Sequence, residues 1–405
     1  MDEAAHREGR RMRVLYLTDS LSELDGVGRY AMGLIGALEK EVPGFEAKVL
    51  LSRKHRPTSS AVPGRWDAKV ALPPDYFFYM KPSRFWPSLV ASTLAVAKVA
   101  RKFDLVHAIK DYPHNLVALK GAQLAGKPCV ATAHGTYTVQ PLLDERHAER
   151  AHRTYRDFAG MISVSAYTAR RLEEVMGASQ LPRRLATIPN CVDLAPLEQR
   201  PELGSRPWHG KRFTLGIGET KERKGHHLAL AGWIHAAQSF PDLHHFLVGR
   251  RSEDDYERSL HRLVHEAGLE ERVHFLGNIT EEEKVDLLQR CELFLHTPVT
   301  AADGGFEGFG IVYLEASACG KPVIGTLGCG AEDAIRDGLT GFLVAPKAAA
   351  VAGALDSILR SEPFARELGE HGRAHARANT WAQNAEAVHQ LYRDILDRKP
   401  LPEAS

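Results

Sequence analysis

The sequence is poor in cysteine, and the cysteines it has form no recognisable motif. Five cysteines, at positions 129, 191, 291, 319 and 329, are scattered along the chain and never stand as a C-x-x-C pair. This arrangement excludes a zinc site built from paired cysteines, and the odd number argues against a disulfide framework. We therefore expect a protein of a reducing compartment, the cytoplasm.

Long apolar runs are missing as well. No stretch approaches the roughly 18–20 apolar residues of a membrane-spanning helix. The first residues include Arg7, Arg10 and Arg11 and lack the apolar core of a secretory signal. The basic residues are dispersed and form no patch interleaved with aromatics, so nucleic acid is not an expected partner.

Net charge is almost absent, at +1, but the charge is unevenly distributed. Residues 1–200 hold 29 Lys and Arg against 21 Asp and Glu, whereas the remainder holds 23 against 30. A basic first half favours an anionic partner, such as a lipid surface or a charged acceptor. The alternative is an ordinary solvated surface without a partner.

What the chain does contain is a regular alternation of apolar strands and helices over 405 residues, enough for two domains. This alternation predicts an α/β protein with two tandem, Rossmann-like, doubly wound parallel sheets. We place the first domain at 1–200, joined by a C-terminal helix at 380–397, and the second at 201–379. The predicted strands are 12–18, 47–51, 104–108, 127–132, 160–164, 185–188, 213–217, 244–248, 273–276, 293–296, 322–325 and 341–344. The helices predicted in the first domain are 31–40, 87–102, 115–125, 145–157 and 166–176.

Ligands of such sheets bind beyond the carboxyl ends of the strands, so we expect a site in a central cleft that both domains face. A strand, a glycine loop with Gly26 and Gly28, and a helix form one candidate phosphate- or sugar-binding turn. A simple tight turn is the alternative. His134 follows another strand.

The most informative stretch, residues 306–316, is a glycine-punctuated loop that becomes a helix. The free N–H groups of Phe309, Gly310 and Ile311 at the helix start can hold an anion. Glu315 falls at the edge of the buried stripe, where a carboxylate costs several kcal/mol unless a polar group meets it. That group is either a ligand rich in hydroxyls or a neighbouring Lys or Arg at the rim.

Taken together, these motifs resemble the retaining glycosyltransferases of family 4, which have the GT-B fold and a Glu-x7-Glu signature. Glu307 and Glu315 have the required spacing. The resemblance covers most of the chain, and it rests on the joint order of several short motifs: GVGRY at 26–30, HGT at 134–136, VSAYT at 164–168, IPNCVD at 188–193, KG at 224–225, VHFLG at 273–277 and EASACGKPV at 315–323.

The resemblance implies a nucleotide-sugar donor in the second domain and a glycan or lipid-linked acceptor in the first. Glu315 would bind the ribose hydroxyls and Glu307 the donor sugar beside its anomeric carbon. Lys224 and the amides of residues 309–311 would stabilise the diphosphate leaving group. Backbone around Asn278 and Ile279 would read the base.

In the first domain, the resemblance implies that Gly26 and Gly28 let the backbone close on the donor. His134 would reach the reaction centre, although a strand-end histidine bonded to backbone is the alternative. The family retains the anomeric configuration and needs no metal, and the absence of an Asp-x-Asp pair agrees with this. We expect no cofactor besides the nucleotide sugar.

One departure concerns position 219, where the family usually has an arginine that clamps the phosphate. Here Glu219 would repel a diphosphate at close range. Either Lys221 or Arg223 replaces the clamp, or Glu219 turns toward Arg250.

A protein that binds a nucleotide sugar without using it, or another GT-B enzyme such as an epimerase, is the alternative function.

The segment 85–102 mixes aromatic, apolar and basic residues, including Trp86, Lys98 and Arg101. It is compatible with peripheral binding to the inner face of an anionic membrane. Ordinary core packing with a solvated basic edge is the alternative.

Overall fold

The computed structural model describes residues 11–22, 25–52, 66, 69–72 and 79–399. Arg7 and Arg10 lie outside the described residues. Contacts between Cα atoms divide the chain into two compact units, residues 1–190 with 381–405 and residues 191–380. The domain boundary expected at 200 therefore lies within the second unit, which begins ten residues earlier.

The first unit is a parallel sheet with helices. Its seven described strands are ordered β3-β2-β1-β4-β5-β6-β7. The strands are β1 Met12–Thr18, β2 Phe45–Ser52, β3 Lys69–Leu72, β4 Leu105–Ala108, β5 Cys129–Ala133, β6 Gly160–Ser163 and β7 Leu185–Thr187. The helices between them are α1 Gly26–Glu41, α2 Pro82–Ala100, α3 His114–Leu124, α4 Thr136–Leu143, α5 Ala148–Arg156 and α6 Ala166–Met176.

The second unit repeats the plan with six described strands in the order β10-β9-β8-β11-β12-β13, all of them parallel. The strands are β8 Arg212–Ile217, β9 Leu243–Val248, β10 Val273–Gly277, β11 Leu293–Leu295, β12 Val323–Thr326 and β13 Gly341–Val344. The helices are α7 Ala195–Glu198, α8 His226–Ala236, α9 Asp255–Glu266, α10 Glu281–Arg290, α11 Ile311–Ala318, α12 Ala331–Ala334, α13 Ala348–Leu359 and α14 Glu362–Arg377. The last helix, α15 Trp381–Leu396, belongs to the first unit.

The predicted α/β class with two doubly wound sheets is confirmed, and so is the return of the C-terminal helix. Some local predictions fail. Strand β3 and helix α4 were not predicted, α2 begins at Pro82 rather than at Pro87, and α1 begins at Gly26 rather than at Ala31. Asp25 explains the early start, because its side chain accepts a hydrogen bond from the amide of Gly28 at 2.7 Å and caps the helix.

Helix α15 is held to the first sheet by a buried hydrogen-bond network. The hydroxyl of Tyr392 lies 3.2 Å from the hydroxyl of Tyr16 on β1 and 2.5 Å from Nδ1 of His107 on β4. All three side chains are fully buried. Close packing adds to this, because a Cβ at Gly33 of α1 would overlap the ring of Trp381. The helix is therefore part of the core of the first unit.

The five cysteines all lie in the described part of the chain and are free thiols. Among the described residues, no helix combines the length and apolarity that a membrane span requires.

We predict that Tyr392→Phe lowers the stability of the first unit. The change removes the hydroxyl that serves Tyr16 and His107 and leaves two buried polar groups unpaired, at a cost of about 1–3 kcal/mol. Differential scanning calorimetry should show a fall in Tm of about 2–4 °C for each kcal/mol lost. The control is Tyr137→Phe, at a ring that is 48% exposed. Equal Tm values for the two variants would contradict the network's role.

Candidate functional site

In the second unit, the loops after β8 and β11 are brought together by a glycine. Gly225 has φ +66°, and a Cβ there would overlap the carbonyl oxygen of Thr297. The hydroxyl of Thr297 donates to the carbonyl of Gly225 at 2.9 Å, and the amide of Val299 donates to the carbonyl of Arg223 at 3.0 Å. These contacts hold Lys224 beside the loop that follows β11.

Glu307 meets that lysine. The carboxylate is 9% exposed, and its Oε2 lies 2.5 Å from Nζ of Lys224. The guanidinium of Arg223 is 3.8 Å and Nε2 of His296 is 3.7 Å from the same oxygen. Burial alone would raise the pKa of Glu307, but Lys224, His296 and Arg223 outweigh it and hold the pKa well below its usual value. Glu307 is therefore an ionised carboxylate with two cations beside it.

The start of α11 adjoins this carboxylate. Gly310 has φ +84°, and a Cβ there would lie 2.6 Å from the ring of Tyr313 and 3.7 Å from Cγ of Glu307. Within the described part of the chain, the amides of Phe309, Gly310 and Ile311 donate to no protein acceptor. An anion could thus accept hydrogen bonds from the first turn of α11.

Glu315 sits further along α11 and is more buried than its predicted edge position, with 6% exposure. Its Oε1 accepts a hydrogen bond from Nζ of Lys284 on α10 at 2.7 Å. The same ammonium is 2.7 Å from Oε2 of Glu281. Of the two alternatives, the structure therefore provides the lysine pair, although not at the rim. The buried carboxylate does not by itself require a ligand, and its contact with ribose stays a prediction.

Glu219 turns toward Arg250, as one of the alternatives expected, and also pairs with Lys221. One oxygen lies 3.2 Å from Nη2 of Arg250, and the other lies 2.6 Å from Nζ of Lys221. Burial would raise the pKa of Glu219, but Lys221 and Arg250 lower it overall. Lys221 is therefore committed to Glu219, whereas Arg223 lies with Lys224 at Glu307.

Asn278 and Ile279 follow β10 in a loop that leads to α10. Asn278 is exposed and Ile279 half-buried. Beside this loop, a pocket lies at the carboxyl ends of β8, β9 and β10, where its lining includes Gly218, Gly249 and Gly277. The base-binding role of the two residues stays a prediction.

In the first unit, His134 follows β5 and is fixed by backbone. Its Nε2 lies 2.9 Å from the carbonyl oxygen of Ile109, so Nε2 carries the proton and donates. The ring packs edge-on against Tyr30, with centroids 4.9 Å apart. Burial lowers the pKa of His134 more than the nearby Asp111 raises it. The backbone bond expected as the alternative is present, and Nδ1 of the neutral ring remains an acceptor.

Gly26 and Gly28 differ in their surroundings. A Cβ at Gly28 would overlap the backbone of Ser22, whereas a Cβ at Gly26 would meet no atom of the described residues within 4 Å. Gly28 is thus explained by the turn before α1, and only Gly26 leaves room for a ligand. The predicted role of the pair in closing on a donor stays a prediction.

Sequence reasoning missed four polar residues at these strand ends. Asp19 follows β1 and pairs with Lys110 after β4, with Nζ 2.7 Å from Oδ2. Asp111 is fully buried and accepts a hydrogen bond from the hydroxyl of Thr138 at 2.5 Å. His296 follows β11. Each stands within three residues of the end of an apolar strand, and that position was the signal available in the sequence.

Two family models match the chain. Residues 24–196 match the model described as Glycosyltransferase Family 4, and residues 202–375 match the model described as Glycosyl transferases group 1. The two matches together cover 347 of the 405 residues, 173 in the first match and 174 in the second.

Two glycosyltransferases are similar to the chain in sequence. The chain is 28% identical to the phosphatidyl-myo-inositol mannosyltransferase of Mycobacterium leprae over 295 residues, which are 72% of this chain and 74% of the relative. It is 30% identical to the D-inositol 3-phosphate glycosyltransferase of Nocardia farcinica over 243 residues, 57% of this chain and 52% of the relative.

Solved structures share the fold. Anabaena Alr3699/HepE, determined in complex with UDP and glucose, has a TM-score of 0.75 at 20% identity and covers 95% of this chain and 100% of its own. WaaG, a glycosyltransferase involved in lipopolysaccharide biosynthesis, has a TM-score of 0.69 at 16% identity, with 94% and 99% covered. With its two doubly wound sheets and both family models matched, the chain belongs to the family-4 glycosyltransferases and has the GT-B fold.

Proposed function

We propose that this glycosyltransferase moves a sugar from a nucleoside-diphosphate donor to a glycolipid or glycan acceptor, with retention of the anomeric configuration. The observation that carries the proposal is the group formed by Lys224, Arg223 and Glu307 beside the start of α11. Two cations and one ionised carboxylate leave a net positive charge next to amides that donate to no described residue. This is an environment for a diphosphate.

The donor would bind across α11. The amides of Phe309, Gly310 and Ile311 and the ammonium of Lys224 would hold the diphosphate as negative charge develops on it. Glu307 would face the sugar, where a carboxylate stabilises positive charge at the anomeric carbon. Glu315 would accept hydrogen bonds from the ribose hydroxyls, with Lys284 keeping its second partner, Glu281.

Retention would follow from attack on the face from which the diphosphate departs. The acceptor hydroxyl forms the new C–O bond as the bond to phosphate breaks, and its proton passes to the departing phosphate oxygen. The protein would supply position and charge and no metal. His134, neutral and with Nδ1 as acceptor, would orient a hydroxyl of the transferred sugar.

The chief reason to consider a non-catalytic binding protein was the carboxylate at position 219. Because Glu219 is paired with Lys221 and Arg250, it does not lie among the cations at Glu307. That pairing removes the argument against transfer. No feature of the described residues favours an epimerase.

The acceptor is proposed to be lipid-linked, and helix α2 supplies a surface for it. Trp86, Val90 and Leu94 lie four residues apart on one side and are 47%, 58% and 59% exposed, while Phe85 and Leu89 are buried. Core packing therefore accounts for Phe85 and Leu89 but not for this exposed stripe. Exposed Arg84, Lys98, Arg101 and Lys102 flank it. Such a surface suits peripheral binding to the inner face of an anionic membrane.

We predict transfer of a sugar from one member of a panel of UDP-, GDP- and ADP-sugars. Acceptors would be phosphatidylinositol in vesicles, D-inositol 3-phosphate and, for hydrolysis, water. The product's anomeric coupling constant, measured by NMR, should match that of the donor. A protein that binds a nucleotide sugar yet never breaks it would contradict the enzymatic proposal, and an inverted product would contradict retention.

We predict that Arg223→Ala weakens binding of the nucleoside diphosphate, whereas Lys221→Ala does not. Arg223 lies at Glu307, while Lys221 is engaged by Glu219. Loss of one charge-assisted bond is worth about 1.5–3 kcal/mol, or roughly 10- to 150-fold in Kd by isothermal titration calorimetry. The two variants remove the same charge two residues apart, so each is the other's control. A loss of affinity confined to Lys221→Ala would reverse the assignment.

We predict that the wild type binds vesicles containing anionic phospholipid. The triple variant Trp86→Ala, Lys98→Gln, Arg101→Gln should bind at least tenfold more weakly in co-sedimentation, because each cation near the surface contributes about 1 kcal/mol. The matched control is Leu124→Ala, Lys120→Gln, Arg183→Gln, which removes one exposed apolar side chain and two exposed cations elsewhere in the first unit. Absence of vesicle binding by the wild type would end the membrane proposal.

A further inference from the structure

His296 is a buried histidine whose ring has no hydrogen bond. It is 1% exposed, and within the described residues neither Nδ1 nor Nε2 has a hydrogen-bond partner. Its backbone is fixed, because its amide donates to Ile324 at 3.1 Å and its carbonyl accepts from the hydroxyl of Tyr313 at 2.7 Å. An imidazole buried in this way costs stability, so its position calls for an explanation.

The ring points at the carboxylate of Glu307. Nε2 lies 3.7 Å from Oε2, which is too long for a hydrogen bond. A movement of about 0.8 Å would bring the two atoms to ordinary hydrogen-bonding distance. The ammonium of Lys224 lies 2.5 Å from the same oxygen. In the ligand-free protein, Lys224 and not His296 is therefore the partner of Oε2 of Glu307.

Donor binding, as proposed above, would withdraw that ammonium. If Lys224 moves to the diphosphate, Glu307 loses its nearest cation while it remains buried. A buried carboxylate that loses its partner is strongly destabilised, and the cost would be subtracted from donor affinity. Arg223 is 3.8 Å away and faces the same phosphate charge. A replacement donor is therefore needed on the protein side of Glu307.

We propose that His296 is that replacement, a positioning residue whose Nε2–H hydrogen-bonds Glu307 when Lys224 turns to the donor. The inference rests on the proposed function. Burial lowers the pKa of His296 more than Glu307 raises it, so the ring is neutral, and a neutral imidazole with its proton on Nε2 suffices as donor. The exchange would keep the sugar-facing carboxylate ionised and fixed throughout donor binding.

The test compares His296→Leu with His296→Gln. Leucine fills a similar volume without a donor, whereas the glutamine amide can donate to Glu307. The probe is whichever of UDP, GDP and ADP raises the Tm of the wild type, titrated calorimetrically into each protein. We expect His296→Leu to bind it about tenfold more weakly and His296→Gln to stay within threefold of the wild type.

The Tm of each variant without ligand distinguishes a role of His296 in positioning Glu307 from a role in stabilising the fold. Because the His296 ring makes no hydrogen bond in the ligand-free protein, His296→Leu should melt no lower than His296→Gln. In a Lys224→Met background, where no ammonium is exchanged, His296→Leu should cause no further loss of affinity.

Equal affinities of wild type and His296→Leu would overturn this inference alone. It would also be overturned if His296→Gln lost as much affinity as His296→Leu, or if His296→Leu melted well below His296→Gln. If no nucleoside diphosphate bound to the wild type, the proposed function itself would fail, and the inference with it.

Discussion

The ion pair between Lys224 and Glu307 is the interaction on which the site of the second unit depends. Glu307 is nearly buried, so its carboxylate needs a hydrogen-bond donor or a cation against it. Two close backbone approaches set that contact, one of Gly225 to Thr297 and one of Gly330 to Gly308. The amide of Gly330 also donates to the carbonyl of Glu307 at 2.8 Å. Side chains at either glycine would separate the loops that the pair joins.

The two carboxylates of the Glu-x7-Glu stretch are stabilised in the same way by different lysines. Glu307 pairs with Lys224 and Glu315 with Lys284, the former within 2.5 Å and the latter within 2.7 Å. A ligand that bonds to either carboxylate or either ammonium enters a site where each carboxylate already has a lysine partner. The ligand's affinity is therefore the difference between the contacts that it makes and the contacts that it breaks. A protein group that replaces a lost lysine partner affects this affinity as much as a group that touches the ligand.

Periodicity in the sequence was enough for the two sheets apart from strand β3, for helix α6 to the residue and for helix α15 to within one residue, because their apolar patterns are local. Helix α4 is short and contains Pro141, which indicates a break when seen in sequence alone. The start of α1 was predicted too late because glycine disfavours helices, whereas the Asp25 cap begins the helix at Gly26. The pairing of Lys284 with Glu315 and the approach of His296 to Glu307 could not be predicted for another reason: the strand order that places β11 beside β8 is a property of the sheet, not of any local stretch.

Part of the positive charge in the first half of the chain lies on and just beyond helix α2, away from the strand ends of the first sheet. The strand ends of the first sheet carry Asp19 paired with Lys110, a buried Asp111 and a neutral His134, groups suited to hydroxyls rather than to phosphate. The cations at Arg84, Lys98, Arg101 and Lys102 lie on exposed positions of α2 and just beyond it. Basic charge gathered around an exposed apolar stripe fits a charged lipid surface better than a soluble anionic ligand, which would need cations at the strand ends.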